Sequence, residues 1–365
     1  MNPLIACFVS PHGFGHAART SAVLTALRAR LPNLHAHLYT TAPEWFFREA
    51  LGEGFTYHHY NVDVGLVQRS PLEEDLPATL EKLHPLYPPP PQTVSTLVDE
   101  IGGLQISCIL SDIAPLGLTV ARALGIPGIL LENFTWDWIY EGYLTQAPQF
   151  AHYIPILQQQ FNQAEYHLQT EPLCSPNPRA SLHLPPISRP PRTTPAALRA
   201  QLGLRDHLPV ALVSLGGVQG GLDFLPRLAE HPECQFVVPG GAESYRREKN
   251  LWLLAHHSEW YHPDLLHASD LVIGKLGYST IAEVYAAGVP FAFVSRPDFR
   301  ESAPLREFVL QNIPSLELPA DGFARGEWVN LLPQILALPK RVASVPNGAR
   351  LAADFLFNHF FNVKE

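Results

Sequence analysis

Residues 270–290 limit the possible folds more than any other stretch of this chain. Leu271 to Ile273 is a short apolar run suited to a buried strand, and Gly274 to Tyr278 interrupts it with two glycines. Thr280 and Glu283 stand three apart, as in a capping box, and Gly288 followed by Pro290 stops the helix after about two turns. Phe291 to Val294 then reads as the next strand. The stretch predicts one βαβ unit whose glycine turn aims free backbone N–H groups, at a helix N-terminus, above the sheet. Those groups and the helix dipole add, and Lys275 brings a positive charge beside them, so a phosphate is the natural guest. Taken alone, Thr280 and Glu283 are equally consistent with a plain helix cap.

A second unit of the same kind opens the chain. Leu4 to Val9 is a strand, Ser10 to Gly15 a tight loop, and His16 to Arg30 a helix. Further strands are predicted at His35 to Tyr39, Ile106 to Leu110, Ile129 to Leu131, Val210 to Val213 and Gln235 to Val238. Helices are predicted at Pro43 to Leu51, Gln92 to Gly102, Leu116 to Leu124 and Ala349 to Asn362. Residues 61–92, with the run Pro88 to Pro91, read as an irregular loop. Strand and helix alternate throughout, which implies the α/β class with doubly wound parallel sheets covered on both faces. A chain of 365 residues exceeds what one core usually serves, so two domains facing across a cleft are expected. Residues 172–195 hold eight prolines in 24 positions and show no periodicity. They divide the chain into a first domain, 1–171, and a second, 196–347. Residues 348–365 form a last helix expected to pack back toward the first domain.

Composition removes several function classes. The net charge of -9 and the lack of any long basic run argue against nucleic acid as a partner. Cys7, Cys108, Cys174 and Cys234 are widely separated, so neither a zinc site nor a disulfide framework is indicated, and a reducing cytoplasm fits. The apolar run at Leu4 to Val9 has no basic region before it and ends too early for a signal peptide. The most apolar long tract, residues 101–131, is punctuated by Asp112, Pro115, Arg122 and Pro127, so it reads as buried strands and a helix and not as a membrane span. Peripheral membrane contact is possible but not indicated.

The first loop carries the second set of candidate residues. Gly13-x-Gly15-x-x-Ala18 meets the loose dinucleotide fingerprint, but Tyr39-Thr40-Thr41 stands where an NAD-binding unit wants an acidic residue. His16 lies at the mouth of a helix, where the dipole disfavours imidazolium, and a neutral imidazole can take a proton as a general base. Asp112, at the end of a neighbouring strand, is the candidate to orient it, or else the N-cap of the helix that follows. A packing histidine is the plain alternative for His16, and a turn residue for His12. Arg19 reads equally as a phosphate contact or as a solvated first-turn arginine.

Gly13-Phe14-Gly15-His16-Ala17-Ala18-Arg19 resembles the Gly-x-Gly-His-x-x-Arg opening of nucleotide-sugar glycosyltransferases with the two-domain GT-B fold. Residues 270–290 resemble their C-terminal donor signature, especially that of glycosyltransferase family 28. Ile187 to Arg192, Val213 to Gly217, Gly274 to Thr280 and Arg296 to Glu301 are also similar to the glycosyltransferase-like N-terminal region of plant L-arabinokinase. The resemblance implies two Rossmann-like domains, with a nucleoside-diphosphate sugar, most simply UDP-linked, on the second. Its pyrophosphate would lie at Gly277, Ser279 and Thr280, near Lys275, with the ribose hydroxyls on Glu283. Ser214, Gly216 and Gly217 would approach the phosphates, and Gly13 and Gly15 would face them from the first domain. His16 would deprotonate an acceptor hydroxyl for inverting attack without a metal, and the chain has no Asp-x-Asp pair. The only co-substrate implied is the nucleotide-sugar donor. Ser295 to Glu301 occupies the region where relatives hold the donor sugar, which makes Asp298 and Glu301 the candidates for that contact. The ring-rich run Asn133 to Tyr140 could stack on an acceptor that the sequence does not identify, and residues 61–92 could cover it. A nucleotide-sugar hydrolase and a non-catalytic sugar-nucleotide binder share these motifs.

Overall fold

The computed structural model describes residues 2–70, 73–216, 222–296, 298–341 and 345–362. In the first half the strands are β1 (Leu4–Val9), β2 (His35–Thr40), β3 (Phe55–His59), β4 (Gln68–Ser70), β5 (Glu73–Glu74), β6 (Ile106–Asp112), β7 (Gly128–Glu132), β8 (Tyr166–Thr170) and β9 (Leu182–Leu184). Seven of them form a parallel sheet in the order β3-β2-β1-β6-β7-β8-β9, while β4 and β5 make a separate hairpin. The second half contributes β10 (Val210–Ser214), β11 (Gln235–Pro239), β12 (Arg246–Glu248), β13 (Leu251–Leu254), β14 (Leu271–Lys275), β15 (Phe291–Val294) and β16 (Ser315–Leu318). Their order is β12-β13-β11-β10-β14-β15-β16, parallel except for the edge strand β12.

Both sheets therefore run outward in two directions from a central pair, β1 beside β6 and β10 beside β14. Loops leaving the carboxyl ends of such a pair turn away from each other and open a crevice. The helices Gly15–Arg28 and Tyr278–Ala287 start at these crevices. The central strands are buried along nearly their whole length, which is why Leu4 to Val9 and Leu271 to Ile273 are apolar runs and not alternating ones.

The last helix, Gly348–Leu356, packs on Gly15–Arg28: Ala349, Ala352, Ala353 and Leu356 share a buried cluster with Ala17, Val23 and Leu24. The chain thus crosses twice between halves, and the crossings are tied. Asn347 donates through Nδ2 to the Ser188 carbonyl at 2.8 Å, and a Cβ on Gly348 would stand 2.1 Å from the Pro185 carbonyl oxygen.

Several local expectations need correction. Gly274 and Lys275 extend strand β14 and do not begin the loop. Tyr278–Ala287 starts at Gly277, which makes no side-chain cap, so Thr280 and Glu283 are not a capping box. Asp112 ends strand β6, and Ala114 is the N-cap of the next helix. Residues 61–92 are not wholly irregular, since they hold the β4–β5 hairpin and the helix Leu76–Leu83, capped by the Asp75 carboxylate accepting from Ala78 N at 3.0 Å. The proline-rich stretch 172–195 includes β9, the outer strand of the first sheet, where prolines after Leu184 cost no ladder bond. Among the described residues, no helix is long and apolar enough to cross a membrane.

Candidate active site

The loop before Gly15–Arg28 faces the start of Tyr278–Ala287 across the crevice. A Cβ on Gly15 would lie 3.9 Å from Ser279 Oγ. Gly13 has φ +66°, a left-handed conformation that suits glycine in this tight turn. Two adjoining cavities result. One is lined by His12, Gly13, Gly15, His16, Gln68, Asn133, Phe134, Lys275, Gly277, Arg296 and Glu301. The other is lined by Trp45, Phe46, Arg189, Ser214, His256, Trp260, His262 and Glu283. Phe14, Gly216, Ser279 and Thr280 line both, so the cavities meet at the helix N-terminus.

In the first cavity His16 is held from behind. Its Nδ1 lies 2.9 Å from Asp112 Oδ1. Asp112 is fully buried and also accepts from Arg19 Nε and Thr20 Oγ1, each at 3.0 Å. Burial alone would raise the Asp112 carboxyl, but the Arg19 guanidinium and the bonds from His16 and Arg19 outweigh it and hold it below the ordinary range. A carboxylate on Nδ1 fixes the tautomer with its proton there, which leaves Nε2 as the acceptor. Arg19 is therefore neither of the things its position suggested. It is buried at 1% exposure, donates to Asn133 Oδ1 at 2.8 Å, and stacks on Tyr278 of the opposite lobe at 4.8 Å.

Lys275 ends β14 beneath Gly216, where a Cβ would stand 2.9 Å from its Cε; Gly216 itself has φ +79°. Burial, with the Arg296 charge adding, lowers the Lys275 ammonium to about 7. His12 is pushed well below its usual range by burial, then by Arg296, His16 and Lys275. Glu301, at 5% exposure, accepts from Asn133 Nδ2 at 3.0 Å, a contact between lobes. Burial raises its carboxyl while Arg296 opposes the rise.

In the second cavity Glu283 accepts from Arg189 Nε at 3.0 Å through one oxygen and meets His262 Nδ1 at 3.0 Å through the other. Burial would raise Glu283, but Arg189 prevails, with His262 adding, and the carboxyl falls to about 2. His262 Nε2 lies 3.1 Å from Ser214 Oγ. The order Ser-His-Glu is that of an acyl-transfer triad. Here, however, the carboxylate is also paired with Arg189, and the chain of bonds ends on the Ser214 hydroxyl. Rings of both lobes close the outer wall: Phe14 stacks on Phe46 at 4.9 Å and lies 5.5 Å from His256, and Trp45 stacks on His257 at 4.3 Å.

Most of the residues singled out from the sequence thus line one interlobe crevice. Gly217 lies outside the described residues. Asp298 does not join the crevice: it is exposed, because its neighbour Phe299 turns inward, 1% exposed, against His12 and Phe134. The run Asn133 to Tyr140 is mainly core, with Phe134, Trp136 and Tyr140 in one buried cluster, and only Asn133 and Phe134 reach the His16 cavity. Sequence reading assigned no role in the site to Arg189, His262, Arg296 or Glu74. Two of them lie in stretches that the sequence singled out, Arg189 in Ile187 to Arg192 and Arg296 in Ser295 to Glu301.

No protein-family model matches the chain. Its sequence is 28% identical over 358 residues to L-arabinokinase of Arabidopsis thaliana, covering 97% of this chain and 34% of that protein. The chain thus spans about a third of the length of that relative. Among solved structures it resembles the glycotransferase of kitacinnamycin (TM-score 0.61, 17% identity, 99% of this chain and 100% of the other). It also resembles MurG of Acinetobacter baumannii (TM-score 0.56, 15% identity, 98% and 99%). A third match is UGT89C1 of Arabidopsis thaliana, solved complexed with UDP (TM-score 0.61, 15% identity, 98% and 99%). With two Rossmann-like domains facing across a crevice, the chain has the GT-B glycosyltransferase fold.

Proposed function

We propose that the chain transfers a sugar from a nucleoside-diphosphate sugar, UDP-linked, to an acceptor hydroxyl with inversion. The observation that carries this reading is that His16, on one lobe, and Ser279 and Thr280, at a helix N-terminus on the other, line the same cavity. The diphosphate lies where the two cavities meet, on the free N–H groups of Tyr278–Ala287 and beside Lys275. The nucleoside extends into the cavity of Glu283, Trp45 and Trp260, and the sugar into the cavity of His16. That a solved neighbour holds UDP supports the choice of nucleotide.

In the reaction His16 Nε2 takes the acceptor proton, and the freed oxygen attacks the anomeric carbon. The bond from that carbon to the β-phosphate oxygen breaks, and the nucleoside diphosphate leaves with the electron pair. Asp112 holds the Nδ1 proton and stabilises the imidazolium that forms. Lys275 and the helix dipole meet the charge on the leaving group, so this route uses no metal. The acceptor enters past Thr41, Asn61 and Gln68, which line an open cleft adjoining both cavities.

Incubation with a panel of nucleotide sugars, with and without cell extract, followed by measurement of nucleoside diphosphate release, tests the reading. Extract-dependent release supports transfer; release without extract points to hydrolysis; no release from any donor removes the catalytic reading. His16→Ala should slow release by about 100-fold, or about 3 kcal/mol of barrier, with nucleotide affinity unchanged. Unchanged turnover in that variant removes the base assignment.

A further inference from the structure

Beyond Ser279 and Thr280 the wall of the His16 cavity carries an arginine whose hydrogen-bond donors are only partly used. Arg296 follows β15 and is 5% exposed. Its Nη1 donates at 3.2 Å to Oε1 of Glu74, which lies on the β4–β5 hairpin of the other lobe. Phe299 covers the guanidinium face at 4.0 Å. Among the described residues Nε is buried with no hydrogen-bond partner, and so is Gln68 Nε2 on the same cavity wall. Because Glu74 takes Nη1, the edge formed by Nε and Nη2 is left over, and that fork is the one that grips a carboxylate with two parallel bonds.

The diphosphate does not account for this edge. Gly216, Ser279 and Thr280 line both cavities and belong to the phosphates, and Lys275 lies against Gly216. Of the two adjoining cavities, Arg296, Gln68 and Glu301 line the His16 cavity alone, on the side where the transferred sugar must sit, and Gln68 also borders the acceptor cleft. Sugar hydroxyls could accept from these N–H groups, but they bring neither the charge nor the planar pair of oxygens that matches a guanidinium edge. Glu301, bonded to Asn133, remains to accept from ring hydroxyls.

Resting on the donor reading above, we propose that the transferred sugar carries a carboxylate, as in a uronic acid, and that the Arg296 fork, with Gln68 Nε2 beside it, reads that group. Calorimetric titration of the full chain with UDP, UDP-glucose, UDP-glucuronate and UDP-galacturonate tests it. At least one uronate should bind about tenfold or more tightly than UDP-glucose, the usual effect of a charge-assisted pair. Arg296→Met keeps the packing on Phe299; it should abolish that preference and leave UDP affinity within about twofold. If UDP binds and UDP-glucose binds as well as both uronates, this inference fails and the donor site stands. If Arg296→Met weakens UDP as much as the uronates, Arg296 serves the diphosphate and the inference fails again. If no UDP compound binds, the donor reading falls and takes this one with it. Should the variant not fold, the preference of the unaltered chain still decides.

Discussion

Lys275 offers the sharpest test of the phosphate site, because its protonation must change when an anion arrives. In the unliganded protein burial and the Arg296 charge lower its ammonium from 10.5 to about 7, so near pH 7 about half the molecules carry a charged Lys275. A diphosphate beside the amine favours the charged form and restores the higher value. If only the charged form binds well, affinity follows the charged fraction, which falls from about one half at pH 7 to about 3% at pH 8.5. The dissociation constant should then rise about fifteenfold over that interval. UDP-glucose is the better ligand for this test, since its diphosphate is esterified at both ends and has no terminal phosphate titrating near pH 6. Titration in two buffers of different ionisation enthalpy should show about half a proton taken up per nucleotide at pH 7. Lys275→Met should bind more weakly at pH 7 and lose both the pH dependence and the proton uptake. A flat affinity from pH 7 to 8.5 in the unaltered chain, with no proton uptake, would refute the reasoning.

Other outcomes follow from the two buried carboxylates. Asp112→Asn strands the Arg19 guanidinium inside the first lobe, so it should lower stability by about 3 to 5 kcal/mol as well as slow turnover; an unchanged melting temperature would contradict the pairing. Glu283 has its carboxyl lowered from 4.5 to about 2, so its charged form stabilises the fold fully above pH 4.5, and this contribution is lost as pH falls toward 2. At about 1.4 kcal/mol per unit the loss is about 3 kcal/mol, and Glu283→Gln should lack that acid-side slope when unfolding is followed from pH 6 to 2. A Glu283→Gln curve parallel to the unaltered one would show that the Arg189 pair is not the cause.

The parts of the fold that the sequence discloses are those decided by near neighbours. Leu4 to Val9 and Phe291 to Val294 are strands over the same residues in the structure, because a buried parallel strand is a short apolar run closed by a polar or glycine-bearing turn. The start of Tyr278–Ala287 is similarly local, set by Gly277 and the break before it. The helix Leu76–Leu83 also had a local sign, Asp75 with Pro77 behind it. That sign was obscured by the proline run that follows and by a helix of only eight residues. Thr280 and Glu283 misled for the opposite reason. Their spacing fits a cap, yet the Glu283 carboxylate is drawn to Arg189 and His262, which no local rule brings near.

The site residues divide along the same line. The places of Gly13, Gly15, Ser279, Thr280 and His16 are legible because a turn and a helix start fix where they stand. The charged residues are not, because a charge is defined by its counter-ion, and here the counter-ions are distant in sequence. Arg19 and Asp112 are 93 residues apart, Arg189 and Glu283 are 94, and Arg296 and Glu74 are 222. Arg19 could be read as a phosphate contact because nothing local shows Asp112 taking its charge. Arg296 went unread because nothing local shows that Glu74 takes only one of its nitrogens and leaves an edge free. The first pair closes a core and the last bridges the lobes, so a guanidinium's chemistry here depends on which sheet supplies its partner. That is fixed only once both sheets have formed and the crevice between them has its shape.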